Sequence, residues 1–567
     1  MPCIAAITAL SAIALVAVAA PANAAAERPL VYVIVLDGLE GEKIEQGKAP
    51  FISSLLAGED ANATYFPRSS SVLPAETNPN HTAMTSGAYP ESSGIAANAF
   101  AIYAPLESED DCIETGPLDL TSLPTETSGE SSSCPDAELV FEAIRQQGNP
   151  DELVSAGIFG KPKLGRIFAG EKFRPGQRDL DYIWAPCSDG ADDDEYCGEV
   201  PTNPISGYAM DDKTVMDQVV AATEGGVAVD GEMRQPDLTF VNLHQIDSAG
   251  HASGTGSLYD SAIAQADDEI ERLVGTLRAR GDWGRTVMIL VSDHGMDATP
   301  SRLTLTEVLT DAGIAETEFL AVDNGSADFI YLADRASPER FELLRRMRAA
   351  ILAEPQVTEV LYREPNPLDA GKTYTVDRMH PGWNSAGERT GDLFVISNPG
   401  VTFSEPSSSS NPLPGNHGAP QTADNFLAVT GGSELVGQGT STGAGRLENP
   451  INVDLAPTVM GLFGLFAPED SAGRFLANAF DRKALRGVAR PARPVFVAAG
   501  KRLRVTPAGG RYDIQATRRG HWRYLRKDSP RSSIKLSALR GSCRARARVR
   551  SAADIPGRWT KVQPPGC

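Results

Sequence analysis

Residues 286–295 read TVMILVSDHG, six apolar or β-branched residues followed by Ser-Asp-His-Gly. Such a run, without polar alternation, is the pattern of a strand buried on both faces, as in a sheet covered by helices on each side. Four other stretches share the form: LVYVIVLDG at 30–38, LVSAGIFG at 153–160, LTFVNLHQID at 238–247 and GDLFVIS at 391–397. Between the runs at 238 and 286, Tyr259, Ile263, Ala266, Ile270, Leu273, Val274 and Leu277 recur at helical spacing. Ser257 and Asp260 are placed as a capping box that would open this helix. Strand, polar loop, helix, strand predicts an α/β fold with a central, mainly parallel sheet flanked by helices.

The chain of 567 residues, 41% hydrophobic, is long enough for one large domain and a smaller one. Its first 24 residues combine an apolar run with Ala22-Asn23-Ala24 and read as a signal peptide, although no Lys or Arg precedes the run. The apolar stretch is short for a membrane anchor, so the mature chain is expected to be exported to a periplasmic, secreted or cell-surface location without an integral span. Six cysteines remain, and proximity in an exported chain suggests the disulfides Cys112–Cys134, Cys187–Cys197 and Cys543–Cys567. Their neighbours are Ser, Asp, Gly and Pro, which makes a zinc knuckle the weaker alternative. The first two pairs lie in polar stretches, 105–135 and 186–212, that break the α/β rhythm, and 404–416 is a flexible loop by composition.

Charge divides the chain. Residues 491–567 hold 19 Lys and Arg against 3 Asp and Glu, whereas residues 1–490 hold 33 against 71. The break suggests a main domain at 25–483, a linker at 484–494 and a small, basic, β-rich module at 495–567. The module could hold an anionic surface polymer or merely counterbalance the acidic domain. Trp522, Tyr524 and Trp559 are too few and unpatterned for base stacking, so no specific nucleic-acid partner is inferred.

Residues 75–87, AETNPNHTAMTSG, place Thr77 at the mouth of a helix. Its hydroxyl could cap that helix, or, beside a metal and at a positive helix end, serve as a nucleophile toward an anionic phosphorus. The apolar runs supply the candidate ligands. Asp37 follows the first; Asp247 and His251 lie in HQIDSAGHASG; Asp293 and His294 lie in VSDHG; His417 lies in PGNHG. Sites in open α/β sheets form outside the carboxyl ends of strands, where residues distant in sequence converge. Three carboxylates, three imidazoles and a hydroxyl are about the ligand supply of two zinc ions, and the nitrogen donors favour zinc over magnesium or calcium.

This set resembles the alkaline phosphatase superfamily, within it the type I phosphodiesterase/nucleotide pyrophosphatase branch, over roughly residues 30–480. The resemblance implies an alkaline phosphatase-like catalytic domain with Asp247, His251 and His417 on one zinc and Asp37, Asp293, His294 and the Thr77 oxygen on the other. It further implies that Asn98, in PESSGIAANAF, binds a phosphoryl oxygen through its amide and that the Asn78 N–H is a second donor. The implied activity is hydrolysis of a small-molecule phosphate ester, a phosphodiester or pyrophosphate, by double displacement through a phosphothreonine on Thr77. Asn78 stands where nucleotide-cleaving relatives often have an aromatic residue, and Phe100 is a candidate substitute. Lys161 and Lys163, in GIFGKPKLG, resemble the lysine motif of members that cleave phosphomonoesters or phosphonates; the other reading is a solvated basic loop. A different class of function is a zinc-containing protein that binds cell-surface polymers. His81 is expected to bond within its helix, His244 to be structural on the strand face opposite Asp247, and His380 and His521 carry no assignment.

Overall fold

The computed structural model describes residues 28–562 except 104–124, 128–134, 148–152, 169–179, 187–196, 199–211, 370–373, 405–413, 443–447 and short stretches between 489 and 558. Nine strands form the main sheet: β1 (Leu30–Leu36), β2 (Asn62–Tyr65), β3 (Ser155–Phe159), β4 (Tyr182–Pro186), β5 (Cys197–Gly198), β6 (Leu238–Leu243), β7 (Thr286–Val291), β8 (Leu427–Gly431) and β9 (Gly439–Thr440). Their spatial order is β9-β2-β8-β7-β1-β6-β3-β4-β5. From β7 to β5 every neighbouring pair is parallel, while β8 runs antiparallel to both β7 and β2. Pleating sends Val31, Val33 and Val35 into one apolar cluster and Leu30, Tyr32, Ile34 and Leu36 into the other, so β1 is buried on both faces as its composition requires.

Three helices matter for the site: α1 (Thr77–Ser86), α2 (Gln245–Ser253) and α3 (Ser257–Arg280). All seven apolar residues expected to face inward on α3 are buried. The capping box does not form. The N-cap is Gly256, and Asp260 instead receives Lys43 at 3.1 Å and Lys48 at 2.7 Å, an ion pair the spacing alone could not anticipate. β6 also ends earlier than a continued strand would: His244 is the N-cap of α2, and Asp247 and His251 stand at i, i+4 on that helix.

The run GDLFVIS is a strand, but not of the main sheet. Leu393–Ser397 belongs to a four-stranded antiparallel sheet inserted between β7 and β8, ordered Phe319–Val322, Ala327–Leu332, Leu393–Ser397, Val357–Tyr362. Phe394 and Ile396 face one apolar cluster and Leu393 and Val395 another, so this strand too is buried on both sides. Composition reports that burial and not which sheet supplies it.

The basic C-terminal region is β-rich. A three-stranded sheet contains Val495–Ala499, Arg502–Thr506 and Ser533–Lys535; a four-stranded one contains His521–Ser529, Arg511–Arg518, Ala545–Arg550 and Thr560–Val562. In Ala545–Arg550 the residues Ala545, Ala547 and Val549 are buried, and the alternate Arg546, Arg548 and Arg550 are half-buried. Arg546 lies 4.2 Å from the Trp522 ring and 4.3 Å from the Trp559 ring, so both indoles stack against an internal cation. Arg482–Val488 is helical with Leu485 buried. The expected signal peptide and the cysteine side chains lie outside the described residues. Among the described residues no helix is long and apolar enough to cross a membrane.

Candidate functional site

Asp37 leaves the carboxyl end of β1, Asp293 and His294 leave β7, Asp247 and His251 project from the helix after β6, and Lys161 follows β3 by two residues. Because β3, β6, β1 and β7 are parallel neighbours, all their exits lie along one edge of the sheet, where the residues meet. Gly38 permits the closest approach. Its φ is +77°, and a Cβ there would lie 3.0 Å from both Cα and Cβ of Asp247. His417 arrives from the end of the inserted segment, after Gly415–Asn416 pairs with Asp297–Ala298.

Two groups of side chains present ligand atoms within 4.8 Å of one another, Asp247–His294–His417 and Asp37–Asp293–His294, all buried. His294 thus stands between the two carboxylate groups, with Nε2 3.4 Å from Asp293 and 3.7 Å from Asp37. His251, at the rim, directs Nε2 to Asp247 Oδ1 at 3.4 Å, and His417 Nε2 is 3.5 Å from the same oxygen.

Hydrogen bonds identify which ring nitrogens are free to ligate. Nδ1 of His251, His294 and His417 lies 3.0, 2.9 and 3.1 Å from the carbonyls of Gly415, Gly295 and Ala75. A carbonyl only accepts, so each Nδ1 carries a proton and each Nε2, the nitrogen left for a ligand, is turned toward the carboxylates. Each carboxylate, in turn, has one oxygen satisfied and one not. Asp293 Oδ1 accepts the N–H groups of Gly38 and His294, both at 3.0 Å. Asp37 Oδ2 accepts from Asn242 at 2.8 Å. Asp37 Oδ1, Asp247 Oδ1 and Asp293 Oδ2 are buried without a hydrogen-bond partner. Lone pairs facing lone pairs in a buried site call for cations between them, so the donor set fits divalent metal.

Thr77 is the first residue of α1 and does not cap it; Glu76 is the N-cap. The hydroxyl points into the cluster, 3.5 Å from His294 Nε2 and 3.1 Å from the Lys161 ammonium, which donates to it. Lys161 also pairs with Asp37 and Asp247, each at 2.8 Å, and its side chain is only 14% exposed. The solvated-loop reading of this lysine is therefore wrong: Lys161 is at the centre of the site. Burial opposes its charge, but Asp247 and Asp37 outweigh burial and hold the ammonium above its ordinary pKa. Burial likewise opposes ionisation of Asp37 and Asp247, and Lys161 reverses it, holding both below the usual carboxylate range. Asp293, buried and next to Asp37, is pushed well above it. Burial, then the adjacent Lys161, draws Lys163 down to about 8.

Asn98, half-buried, lies beside Thr77, its Oδ1 accepting the Asn78 N–H at 2.8 Å. The donor expected to face a substrate thus orients Asn98. His81 bonds within its helix as expected, Nδ1 to the Thr77 carbonyl at 2.9 Å; burial lowers its pKa to about 3, and the ring is neutral. His244 Nδ1 is 3.0 Å from Ser248 Oγ. Residues the sequence reading passed over complete the frame. Asn242 joins Asp37 to His81 Nε2, at 2.8 and 3.1 Å; a polar side chain in the run Leu238–Leu243 was the available signal. Asn80 and Asn452, mutually bonded at 3.0 Å, tie the backbone before Thr77 to the Asp293 carbonyl.

Known proteins share parts of this chain. It is 28% identical over 199 residues to alkaline phosphatase PhoD of Zymomonas mobilis, a match covering 30% of this chain and 34% of that one. It is 25% identical over 299 residues to ectonucleotide pyrophosphatase/phosphodiesterase 1 of Saccharomyces cerevisiae, covering 50% and 36%. The chain therefore spans about a third of the length of these relatives. Among solved structures the fold is shared with alkaline phosphatase PafA (TM-score 0.58, 15% identity, 81% of this chain and 100% of that one). It is also shared with inactive murine ectonucleotide pyrophosphatase/phosphodiesterase 5 in complex with AMP (TM-score 0.54, 16% identity, 78% and 96%). The model of one family, type I phosphodiesterase / nucleotide pyrophosphatase, matches residues 31–420, a span that starts in β1 and takes in every side chain of the site from Asp37 to His417. On that match the chain belongs to the type I phosphodiesterase / nucleotide pyrophosphatase family.

Proposed function

We propose that the protein is an exported hydrolase of small-molecule phosphate esters that uses Thr77 as its nucleophile. The observation that carries the reading is the Thr77 hydroxyl at the N-terminus of α1, within 3.5 Å of His294 Nε2 and beside three carboxylates with unpartnered oxygens. Asp247, His251 and His417 would hold one metal ion and Asp37, Asp293, His294 and Thr77 another; imidazole and carboxylate donors favour zinc. Bound there, the ions supply Lewis acidity toward the hydroxyl and the phosphoryl oxygens.

The chain's own groups do the rest. Lys161 donates to Thr77 Oγ1 and favours loss of the hydroxyl proton, which readies that oxygen to attack phosphorus. The start of α1 presents its positive end to the anion, and the Asn98 amide contacts a phosphoryl oxygen. Transfer to Thr77 releases the alcohol, which takes up the hydroxyl proton, and water then frees Thr77, giving phosphate from a monoester and a phosphomonoester from a diester.

The family description favours diester or pyrophosphate bonds. Lys161 favours a second reading, phosphomonoesters, because a dianion benefits from one more cation beside the nucleophile. Initial rates on p-nitrophenyl phosphate and bis-p-nitrophenyl phosphate test both. Thr77→Ala is expected to lose turnover on either substrate while retaining metal, and Thr77→Ser to keep part of it. Wild-type rates in Thr77→Ala would remove Thr77 from the chemistry.

A further inference from the structure

The loop at 94–99 that carries Asn98 has no helix or strand of its own, yet three buried side chains fix its position. Glu76, 1% exposed, accepts the Asn98 N–H on Oε2 at 2.5 Å. Asn78, equally buried, binds Asn98 twice: its N–H donates to Oδ1 at 2.8 Å, and its Nδ2 donates to the Asn98 carbonyl at 3.3 Å. Asn324, from the inserted segment and 4% exposed, receives the Ala99 N–H on Oδ1 and donates Nδ2 to the Ala99 carbonyl, each at 2.9 Å.

The peptide groups on both sides of the Asn98 side chain are thus held, and Glu76 and Asn78 flank Thr77 in sequence. Glu76 occupies the N-cap position of α1, but its side chain makes no capping bond there and is spent on the Asn98 loop. Displacing a phosphoryl donor by about 1 Å can cost on the order of 100-fold in rate.

We infer that Glu76 is a positioning residue that sets Asn98 at a fixed distance from Thr77, with Asn324 closing the same clamp from the inserted segment. The inference rests on the proposed role of Asn98 as a phosphoryl donor. Glu76 touches no reacting atom, and its effect passes through Asn98.

The test is a double-mutant cycle read in kcat and KM on p-nitrophenyl phosphate, joined to the affinity for inorganic phosphate by calorimetry. Glu76→Ala is expected to lower kcat by roughly 10-fold or more, and Asn98→Ala by at least as much. In Glu76→Ala/Asn98→Ala the two losses should not multiply: the double variant should be about as slow as Asn98→Ala alone. Glu76→Gln, whose amide oxygen can still accept the Asn98 N–H, should recover most of the rate and the phosphate affinity. Losses that multiply, or a wild-type kcat in Glu76→Ala, would overturn the inference while leaving the role of Asn98 intact. A wild-type kcat in Asn98→Ala would overturn both. Should Glu76→Ala not fold, Asn324→Ala in the same cycle carries the same expectation and the same refutation.

Discussion

Lys161 brings a cation beside Thr77, where the proposed reaction places the phosphoryl group, and it is held there by Asp37 and Asp247. Removing it should weigh most on the substrate with the larger negative charge. Lys161→Ala is expected to lower kcat/KM for p-nitrophenyl phosphate by about 100-fold, and for the diester by far less, as steady-state rates on the two would report. Equal losses on both would return Lys161 to a structural ion pair. Asp37, Asp293 and His294 were legible because they follow apolar runs, at the carboxyl ends of strands where sites in open sheets form, whereas His417 follows a glycine turn. Lys161 obeys the same rule, following β3, but lysines are so often solvated that its type left both readings open. Glu76 gave no signal at all: a buried glutamate before a helix is defined only by the loop it holds.

Among the elements, α3 shows how a correct period can accompany a wrong partner. Its apolar face was readable from spacing, whereas its capping was not. Asp260 pairs with two lysines, and Asp267, further along the helix, caps a different one: its oxygens accept the N–H groups of Phe51 and Ile52 at 2.8 and 2.7 Å, in the first turn of Pro50–Leu56. Asp267→Ala is expected to cost about 2 kcal/mol in urea unfolding and to leave kcat unchanged, since the lost bonds anchor a helix away from Thr77. An unchanged unfolding midpoint would contradict that role. Likewise, the turn from β6 into α2 was hidden because Asp247 and His251 at i, i+4 fit a helix that begins immediately after the strand, and no breaker separates the two.

At the scale of the whole molecule, the parallel order β7-β1-β6-β3 gathers the candidate ligands Asp37, Asp247, His251, Asp293 and His294 onto one edge, and the inserted segment adds His417. The acidic main region and the basic C-terminal sheets meet in shared apolar packing: Phe466 lies among Val505, Tyr512 and Ile514, and Ala553 and Ile555 belong to the main core. Ending the chain at residue 490 should therefore expose Phe466 and lower the thermal midpoint of the remainder; an unchanged midpoint would mean that these contacts contribute nothing. What the charge break could not convey is that two regions of opposite charge share a core. Active protein is expected to contain about two zinc ions per chain and to lose activity on chelation, and active protein free of transition metal by elemental analysis would rule that out.

The most direct measurement is mass spectrometry of peptides from enzyme mixed with p-nitrophenyl phosphate and quenched in acid during turnover. The expected result is one phosphoryl group on the peptide containing residues 75–87, located on Thr77 and absent from Thr77→Ser except on the new serine. Turnover with no phosphorylated enzyme peptide, or with the phosphoryl group on another residue, would contradict a threonine nucleophile at this site.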